Sequence, residues 1–504
     1  MDSNQFREAA KASIEDVASY YDSLPDLKVV SSVQPGYLRP LLPSSPPLQG
    51  ESYDAIRADI QSKILPGITH WQSPNFMAFF PCSASFPAML ADMYSNAFNG
   101  AHFNWICSPA VTELETVMMD WLAQALALPD CFLSTGPTRG GGVIQGTASE
   151  AILTAMVAAR DKFLRSRTAH LAEDSEEKED ETWRLRSKLV ALGSDMTHSS
   201  TKKAAKILGV RFGTVPVSRA TGYAMTAESL ANKLRDLRAK GLEPFYLTAT
   251  LGTTDTCAID DLEGIVALLK DESLNPNDAL WVHLDAAYAG AALICPEHQT
   301  FNAHLAHFHT VDFNPHKWLL TNFDCSALWV RNRAWLTDAL SVNPAYLRND
   351  LSDAGLVTDY RDWQIPLGRR FRSLKLWFLM RTYGIEGLRA HVRGGIARGD
   401  LFANLVAGRT DLFEVIAGPS FALVVLRVAG GTDEEESNLL TKRVYDAISA
   451  EGEFFLTSSV LKGLYAIRVC VSGANVGEDE VRRVFDALVR CTEEVTGRKK
   501  QEAA

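Results

Sequence analysis

Hydrophobic and polar positions follow different patterns in successive parts of the 504-residue chain. Within residues 1–31, apolar side chains recur at near-helical spacing and predict an amphipathic helix; they are Phe6, Ala9, Ile14, Val17 and Tyr20. A proline-rich passage follows at 35–47, where repeated prolines prevent regular structure. Such a passage is typical of a segment that crosses another domain or subunit. Residues 53–128 are again mostly helical in pattern and rich in aromatic side chains.

Between residues 130 and 330, short β-rich runs alternate with helical patterns. The β-rich runs are 188–192, 245–250, 281–284 and 325–330, and the clearest helical patterns are 148–164 and 227–240. Strands that alternate with helices predict right-handed crossovers and a mostly parallel sheet. Ligands of such sheets bind beyond the carboxyl ends of the strands.

Beyond residue 380 the pattern changes to a helix, then strands at 421–428 and 464–471, then a closing helix at 478–494. This order predicts a separate, smaller α+β domain. We therefore expect an α/β protein with three parts: a helical N-terminal segment (1–95), a large domain with a mostly parallel sheet (96–380) and a small C-terminal domain (381–504).

Residues 173–181 form an acidic, low-complexity run within the large domain. Such a run is either an interaction tail or a solvated loop, and a solvated loop is the expected structure.

Composition narrows the class of protein. The chain is 46% hydrophobic and 22% charged, which is typical of a globular protein. Its 50 basic and 61 acidic residues give a net charge of −11, and no basic stretch stands out. A nucleic-acid binder needs a basic surface for the phosphates, so no nucleic-acid partner is expected.

The sequence also indicates where the protein resides. The first residues lack the basic and apolar regions of a signal peptide, and no run of about 18 apolar residues occurs, so no membrane span is expected. The eight cysteines are scattered and include no C-x-x-C pair. They predict reduced thiols, neither a disulfide framework nor a metal site, and a cytoplasmic location.

The most informative segment for chemistry is Asn314-Pro315-His316-Lys317-Trp318. A lysine between a histidine and aromatic side chains is a candidate for desolvation, which lowers the pKa of the amine and makes it a nucleophile toward a carbonyl. The alternative is a surface lysine with aromatic neighbours.

A second segment runs from Trp281 to Gly290, where a buried strand ends at Asp285 and small residues follow. An aspartate here, beside residues that admit a flat ligand, suits a carboxylate that keeps a ring nitrogen protonated. Pyridoxal phosphate enzymes use this pairing, with a lysine bound to the cofactor and an aspartate opposite its pyridine nitrogen. The alternative for Asp285 is the N-cap of a helix.

Two further segments have functional and purely structural interpretations. The glycine-rich run 140–146 precedes the capping-box pattern Thr147-x-x-Glu150, so it is either a phosphate-binding helix start or a plain turn. His198 follows a β-rich run and either stacks on a planar cofactor or is a loop histidine. The cluster of His304, His307 and His309 has no carboxylate or cysteine at ligand spacing, so no metal is expected.

Several long motifs in order resemble the group II pyridoxal-phosphate amino-acid decarboxylases, most closely the aromatic L-amino-acid decarboxylases, including tryptophan decarboxylases. The resemblance covers about residues 5 to 495. The motifs are Phe103-Asn104-Trp105 with Ser108-Pro109-Ala110 and Glu113-Leu114-Glu115; Thr250-Leu251-Gly252-Thr253-Thr254; His283-Leu284-Asp285-Ala286-Ala287-Tyr288-Ala289-Gly290; Asn314-Pro315-His316-Lys317-Trp318; and Trp363-Gln364-Ile365-Pro366-Leu367-Gly368-Arg369-Arg370.

The resemblance implies a dimeric fold-type-I enzyme, similar in fold to aspartate aminotransferase, with pyridoxal 5'-phosphate as its cofactor. Lys317 would bind the cofactor covalently, Asp285 would pair with its ring nitrogen, and Ala287 and His198 would lie against the two faces of its ring. The remaining cofactor residues implied are Ala148, Ser149 and Asn314 at the phosphate and Thr254 near the ring substituents.

The resemblance also implies a proton donor. The family carries a loop residue that is tyrosine in the decarboxylases and phenylalanine in the related aromatic aldehyde synthases, and here it is Tyr346. Simple decarboxylation is therefore expected. The alternatives are an aromatic acetaldehyde synthase, a catalytically silent relative that binds the cofactor, and a nucleotide-binding protein that uses residues 140–146.

An aromatic amino acid is the expected substrate. The residues implied to line its pocket are Trp71, Phe79, Phe80, Pro81, Cys82, Phe103 and Gly368. These side chains are apolar and include no cation for an acidic substrate. Gly368 resembles the branch that accepts indole, whereas relatives that prefer phenolic substrates tend to have serine, so tryptophan and its hydroxylated forms are favoured over DOPA and tyrosine. Phe79 and Cys82 depart from the polar residues of the animal enzymes.

Overall fold

The computed structural model describes residues 1–276, 279–342, 350–354 and 356–498. It divides into two compact units: a smaller one of residues 1–81, 398–416 and 424–504, and a larger one of residues 82–397 and 417–423. The first 81 residues thus belong to the same unit as the C-terminal segment. The division at residues 95 and 380 stays a prediction.

The helices are α1 (Ser3–Ser23), α2 (Tyr53–Asp59), α3 (Phe86–Ala97), α4 (Pro109–Ala125), α5 (Ala148–Thr168), α6 (Glu176–Arg186), α7 (Ser199–Leu208), α8 (Ala227–Ala239), α9 (Leu262–Leu269), α10 (Pro315–Trp318), α11 (Ala334–Leu340), α12 (Asp350–Asp353), α13 (Ser373–Ala407), α14 (Glu434–Glu451) and α15 (Glu478–Thr496). Helix α13 is interrupted at Gly384, whose φ of 62° and ψ of 172° are not helical. Short 3₁₀ segments are Leu24–Asp26, Arg39–Leu41, Leu65–Gly67, Trp105–Cys107, Asp130–Phe132, Arg219–Thr221, Ala289–Ile294, Pro296–His307 and Tyr360–Trp363, and Ile60–Ile64 is a π-helix.

The larger unit is built on a seven-stranded sheet of the described residues. Its strands are β1 (Gly141–Gln145), β2 (Leu189–Ser194), β3 (Arg211–Val215), β4 (Glu243–Thr250), β5 (Trp281–Asp285), β6 (Thr310–Phe313) and β7 (Ser326–Val330), in the order β1-β7-β6-β5-β4-β2-β3. The neighbours from β6 to β3 pair in parallel, and β7 is antiparallel to both β6 and β1. The predicted mostly parallel sheet is confirmed, and the four predicted strands correspond to β2, β4, β5 and β7.

Helices that pack on the sheet bury its strands. Every residue of β1, β2, β5, β6 and β7 is buried, as is typical of a sheet covered on both faces. Helix α5 contributes a face of mostly small residues to this core, since Ala151, Ala155 and Ala159 are at most 2% exposed and Phe163 lies on the same face. Small side chains let the helix approach the sheet closely.

The glycine-rich run is a strand, and its interpretation as a turn was wrong. Residues 141–145 form β1, which pairs antiparallel with β7. A side chain at Gly142 would place its Cβ 2.3 Å from Met119 and 2.8 Å from Trp329, so only glycine fits there. Glycine here marks close packing of the strand against large side chains.

The acidic run was also predicted incorrectly, because its second half begins helix α6. Ser175 caps this helix by accepting a hydrogen bond from the Lys178 backbone N–H, at 3.2 Å. Acidic residues fill its first turn, and Arg184 and Arg186 lie in its last turn, an order that favours the helix dipole. The run is mostly exposed to solvent, as a solvated segment should be.

The smaller unit contains α1, α2, α14 and α15 with most of a second sheet of order β10-β11-β9-β8. Its strands are β8 (Phe413–Ser420), β9 (Leu423–Val428), β10 (Thr457–Leu461) and β11 (Leu464–Cys470). The predicted helices near both termini and the predicted strands at 421–428 and 464–471 are therefore confirmed. Helix α15 buries an apolar stripe that includes Val484 and Leu488.

Two further features of the structure are the character of its helices and the state of its cysteines. Within the described residues, no helix combines the length and the apolar character needed to cross a membrane. All eight cysteines are free thiols, and five of them are buried.

Candidate active site

The carboxyl ends of five strands meet at one edge of the large sheet. Strands β2, β4, β5 and β6 run parallel, and β1 shares their direction because both β1 and β6 are antiparallel to β7. The segments that follow these strands therefore emerge together. They carry the predicted cofactor residues, namely Ala148 and Ser149 after β1, His198 after β2, Thr254 after β4, Asp285 and Ala287 at the end of β5, and Asn314 and Lys317 after β6.

Asp285 is the last residue of β5, and its side chain is 5% exposed. Its Oδ1 accepts a hydrogen bond from the backbone N–H of Ala287, at 3.0 Å, which fixes the carboxylate at the start of the loop. The backbone N–H of Asn314 in turn donates to the carbonyl of Ala287, at 3.1 Å. Asp285 is thus not a helix N-cap, and its loop is tied to the segment that carries the lysine.

Lys317 lies on the short helix α10, one residue before its end. Its backbone N–H donates to the carbonyl of Asn314, at 2.9 Å, and its neighbours Pro315, His316 and Trp318 are buried. Desolvation lowers the pKa of the Lys317 ammonium, and the negative charges of Asp285 and Asp312 oppose this shift. The alternative of a surface lysine does not fit this environment.

His198 is the N-cap of helix α7. Its Nδ1 lies 2.7 Å from the Ser200 hydroxyl and accepts from the Ser200 backbone N–H, at 3.2 Å, so the ring orientation is held by its own helix. Desolvation lowers the pKa of His198, while the charge of Asp285 raises it and that of Lys317 lowers it. The charges of these three residues therefore act on one another at this edge.

The N-terminus of helix α5 lies after β1. Thr147 caps it, and its hydroxyl accepts from the Glu150 backbone N–H, at 3.4 Å. The predicted capping box is only half present, because the Glu150 carboxylate accepts from the backbone N–H of Gly146, at 2.9 Å, and not from that of Thr147. Ala148 is buried and Ser149 is exposed in the first turn of a 21-residue helix, where backbone N–H groups favour an anion.

Four of the predicted pocket residues lie in the smaller unit. Trp71 and Phe79 are stacked with ring centroids 5.8 Å apart, and both are more than 40% exposed. Phe455 packs edge-on against Phe79. Phe80 is buried there, and Pro81 is partly buried. This cluster provides an apolar, aromatic surface.

The other three predicted pocket residues lie in the larger unit. Cys82 and Phe103 are partly buried, and Gly368 is exposed. Phe103 is held by its backbone, since its carbonyl accepts from the backbone N–H of Arg361, at 3.1 Å. Tyr346, the predicted proton donor, lies outside the described residues.

The family model described as the pyridoxal-dependent decarboxylase conserved domain matches residues 35–429. The chain belongs to the pyridoxal-dependent decarboxylase family. The cofactor is pyridoxal 5'-phosphate, and the protein is a pyridoxal-phosphate-dependent decarboxylase.

Individual relatives agree with this membership of the decarboxylase family. The aromatic-L-amino-acid decarboxylase of Bos taurus is 43% identical over 97% of this chain and 96% of its own length. The phenylacetaldehyde synthase of Arabidopsis thaliana is also 43% identical, over 95% of this chain and 94% of its own. The crystal structure of Catharanthus roseus tryptophan decarboxylase in complex with L-tryptophan is 37% identical, covers 98% of this chain and 99% of its own, and superimposes with a TM-score of 0.89. The expected fold is therefore confirmed.

Ser83 supports the lysine segment of this decarboxylase, and no sequence pattern indicated this role. The Ser83 hydroxyl donates to the carbonyl of Lys317, at 2.6 Å, and its backbone N–H donates to the carbonyl of His316, at 2.8 Å. The His316 ring accepts from the Cys325 backbone N–H, at 3.0 Å, and burial lowers its pKa to about 4. Ser83 and Lys317 are 234 residues apart, so no local sequence signal could have linked them.

The loop that carries Gly368 in this decarboxylase is supported by two buried residues. The Nε2 of Gln364 donates to the carbonyl oxygens of Pro366, at 2.5 Å, and Gly368, at 3.4 Å. The guanidinium of Arg369 binds Gln364 and the carboxylate of Glu115. A Cβ at Gly368 would meet no atom within 4 Å, so a larger residue fits without strain.

Proposed function

We propose that this decarboxylase removes the α-carboxylate of an aromatic L-amino acid and releases CO₂ and the arylalkylamine, with tryptophan and hydroxylated tryptophans as preferred substrates. The observation that carries the proposal is the meeting of Lys317, Asp285 and His198 at one sheet edge, where their charges act on one another. The names of the Bos taurus and Catharanthus roseus relatives support the aromatic substrate.

The residues at this edge fit pyridoxal phosphate. The buried Oδ1 of Asn314 makes no hydrogen bond within the described residues, and neither does the hydroxyl of Thr250 at the end of β4. We propose that Asn314, Ala148 and Ser149 hold the phosphate at the positive end of helix α5. Thr254 lies in the turn after β4, on the side where we place the ring substituents.

The ring itself needs a flat space between two faces. Ala287 is 6% exposed and small enough for a ring to lie against it, and we place His198 on the opposite face. Lys317 supplies an amine whose lowered pKa leaves it more often uncharged at neutral pH, as covalent attachment requires. Asp285 would hold a proton at the ring nitrogen of the bound cofactor. Pyridoxal phosphate bound there would supply an electron-accepting ring system for the bond to the α-carboxylate.

Protonation of the α-carbon determines the product, and we assign this step to Tyr346. A phenol is a suitable general acid at this carbon once CO₂ has left. The second candidate function, an aromatic acetaldehyde synthase, is favoured by the 43% identity to the Arabidopsis enzyme. The residue at position 346 separates the two functions.

Tyr346→Phe is expected to change the product from amine to aldehyde, because the variant lacks the hydroxyl that donates the proton. Amine formation should fall roughly 10²-fold or more, the scale of a lost general acid. Aldehyde, ammonia and peroxide should appear together with oxygen consumption. The measurement is simultaneous quantification of amine, aldehyde, ammonia and peroxide.

The control for this substitution is Tyr383→Phe, which removes the hydroxyl of a partly exposed tyrosine on α13. It should leave every product unchanged. If Tyr346→Phe still yields amine without ammonia at the rate of the unsubstituted enzyme, Tyr346 is not the proton donor.

Gly368→Ser is expected to lower the ratio of kcat/KM for tryptophan to kcat/KM for tyrosine by roughly 10-fold, the scale of a small steric change in an apolar pocket. The added hydroxymethyl group has room in the fold but reduces the space for a bicyclic side chain. The matched control is Gly50→Ser, at an exposed glycine where a Cβ also meets nothing within 4 Å. Equal ratios for both variants would remove Gly368 from the specificity determinants.

We further propose that the active form is a homodimer, with the N-terminal segment against the partner subunit. No residue of helix α1 is buried. Its apolar side chains Phe6 and Ile14 are each 55% exposed. Leu48, directly after the proline-rich passage, is fully exposed. Apolar side chains this exposed over one segment are typical of an interface, and a second copy of the chain is the occupant we propose.

The double substitution Phe6→Glu with Ile14→Glu is expected to reduce the mass in solution from that of two chains to that of one. Light scattering coupled to gel filtration measures this mass. Leu439→Glu is the control, because Leu439 is 57% exposed on α14, outside the N-terminal segment, and its substitution should leave the mass unchanged. A monomeric unsubstituted protein with full activity would contradict the proposal.

We also propose a cytoplasmic location. All eight cysteines are free thiols, as expected in a reducing compartment.

A further inference from the structure

A buried histidine and a buried aspartate lie next to Asp285, and no role proposed above uses them. His283 on β5 and Asp312 on β6 are both 0% exposed. The strands pair so that His283 lies opposite Thr310 and Asp285 lies opposite Asp312. The Nε2 of His283 is 3.2 Å from Oδ1 of Asp312.

Hydrogen bonding assigns the tautomer of His283. The indole Nε1–H of Trp281 donates to the hydroxyl oxygen of Thr310, at 2.9 Å. In the described residues, the only acceptor for the Thr310 hydroxyl proton is Nδ1 of His283, also at 2.9 Å. Nδ1 therefore accepts, and the imidazole proton lies on Nε2, which faces Asp312.

The negative charge of Asp312 has one nearby N–H group to compensate it, the Nε2–H of His283. Neither of its carboxylate oxygens makes a hydrogen bond of good geometry with any described residue, so the Nε2–H of His283 is the nearest compensation for its charge. Burial raises the pKa of Asp312 to about 6; the charge of Asp285 adds to this rise, whereas His283 lowers it. A buried carboxyl that makes no well-aligned hydrogen bond is costly to ionise, and two apolar side chains in place of His283 and Asp312 would pack without that cost.

The other titratable groups around the pair and Asp285 lie on β4, β5 and α10 and in the segment between β4 and α9. Asp285 is on β5 with His283, and Lys317 on α10 acts on Asp312 through its charge. Tyr246 on β4 stacks on His283 with ring centroids 6.1 Å apart, and burial raises its pKa. The carboxyl of Asp260, which accepts from the backbone N–H groups of Met225 and Thr250, has a pKa that burial raises to about 7.

We propose that Asp312 is a positioning residue whose carboxylate, held ionised by the Nε2–H of His283, adds a second negative charge behind Asp285 and so strengthens the hold of Asp285 on the protonated ring nitrogen of the cofactor. The proposal rests on the role given above to Asp285. It makes the charge at this edge of the sheet depend on two carboxyls, one that contacts the cofactor and one that acts through its neighbour.

The first test is a pH titration of the absorption band of the bound cofactor, from about pH 5 to about pH 8. The unsubstituted enzyme should show a transition near the pKa of Asp312, and Asp312→Asn should lack it. His283→Phe should move the transition to higher pH, because phenylalanine has no N–H group to favour the carboxylate. The double variant should behave as Asp312→Asn alone, since His283 acts through Asp312.

The second test is the affinity for the cofactor. Asp312→Asn should raise the Kd of the apoprotein for pyridoxal phosphate about tenfold at neutral pH, equivalent to one pKa unit of lost interaction. Val311→Ala is the matched control, because Val311 is buried on the opposite face of the same strand. It should destabilise the fold but leave both the Kd and the pH transition unchanged.

The third test uses the apoprotein and needs no catalysis. A carboxyl whose pKa is higher in the folded state than in the unfolded state costs stability as pH rises between these two values. The Tm of Asp312→Asn minus that of the unsubstituted apoprotein should therefore become more positive from about pH 5 to about pH 7. A purely structural role would give a difference independent of pH.

The outcomes separate this inference from the role of Asp285. If Asp285→Asn changes the cofactor band and Kd while Asp312→Asn changes neither, the inference about Asp312 is overturned and the role of Asp285 stands. If Asp285→Asn also has no effect, the proposed role of Asp285 fails first. Should His283→Phe not fold, Thr310→Val addresses the same contact. It removes the hydroxyl that donates to Nδ1, so the imidazole proton is no longer restricted to Nε2 and the transition should also move to higher pH.

Discussion

Lys317→Ala is expected to lower kcat by roughly 10³- to 10⁴-fold and to prevent covalent attachment of the cofactor. The reason is that the amine of Lys317 is placed at the carboxyl edge of the sheet by the short helix α10 and has a pKa lowered by desolvation. The measurement combines CO₂ release with the mass of the borohydride-reduced protein, which should gain the mass of one phosphopyridoxyl group only when Lys317 is present.

The control is Lys202→Ala, at an exposed lysine on helix α7. It should retain both activity and attachment. If Lys317→Ala kept the added mass after reduction, another amine would be the attachment site. If the unsubstituted protein bound the cofactor but turned over none of the aromatic amino acids, it would be a silent relative.

Asp285→Asn is expected to lower kcat roughly 10²- to 10³-fold, the scale of losing one preorganised charge from an active site. Asparagine has the shape of aspartate but no negative charge, so it cannot hold the proton at the ring nitrogen. Its Kd for pyridoxal phosphate should rise as well. Steady-state kinetics and a fluorescence titration of the apoprotein measure the two effects.

The control for Asp285 is Asp236→Asn, which removes a carboxylate on α8 whose partner is Lys240. It changes the net charge by the same amount and should leave kcat and Kd unchanged. A loss of stability in Asp285→Asn without a change in kcat at saturating cofactor would show that Asp285 is structural.

Local sequence patterns predicted the elements that have clear periodicity. Apolar runs at 245–250 and 281–284 became β4 and β5, and the pattern at 148–164 became helix α5. These runs could be predicted because side-chain alternation and helical spacing are set by neighbours in the chain. Strand β3 was missed, since its residues are mostly partly exposed and show no apolar run.

Some residues of the candidate site could likewise be predicted from the sequence, and others could not. Asp285 and Lys317 could be found because each ends or follows an apolar strand and lies in a distinctive motif. Ser83, His283 and Asp312 could not be assigned a role in advance, because their partners are contributed by other strands or by a distant segment. Tyr346 still rests on the resemblance of its motif.

The sequence by itself determined the family, the cofactor and the mostly parallel sheet, because these follow from local patterns and from motifs in a constant order; it also indicated the residues that we propose to meet the cofactor. Only the tertiary structure showed that residues 140–146 include a strand, that part of the acidic run is helical, and that Asp312 lies opposite Asp285 with Nε2 of His283 3.2 Å from its carboxylate. These features depend on which segments become neighbours, on the volume left for a side chain and on the loss of water around a charge, and none of these is a property of a local run of residues.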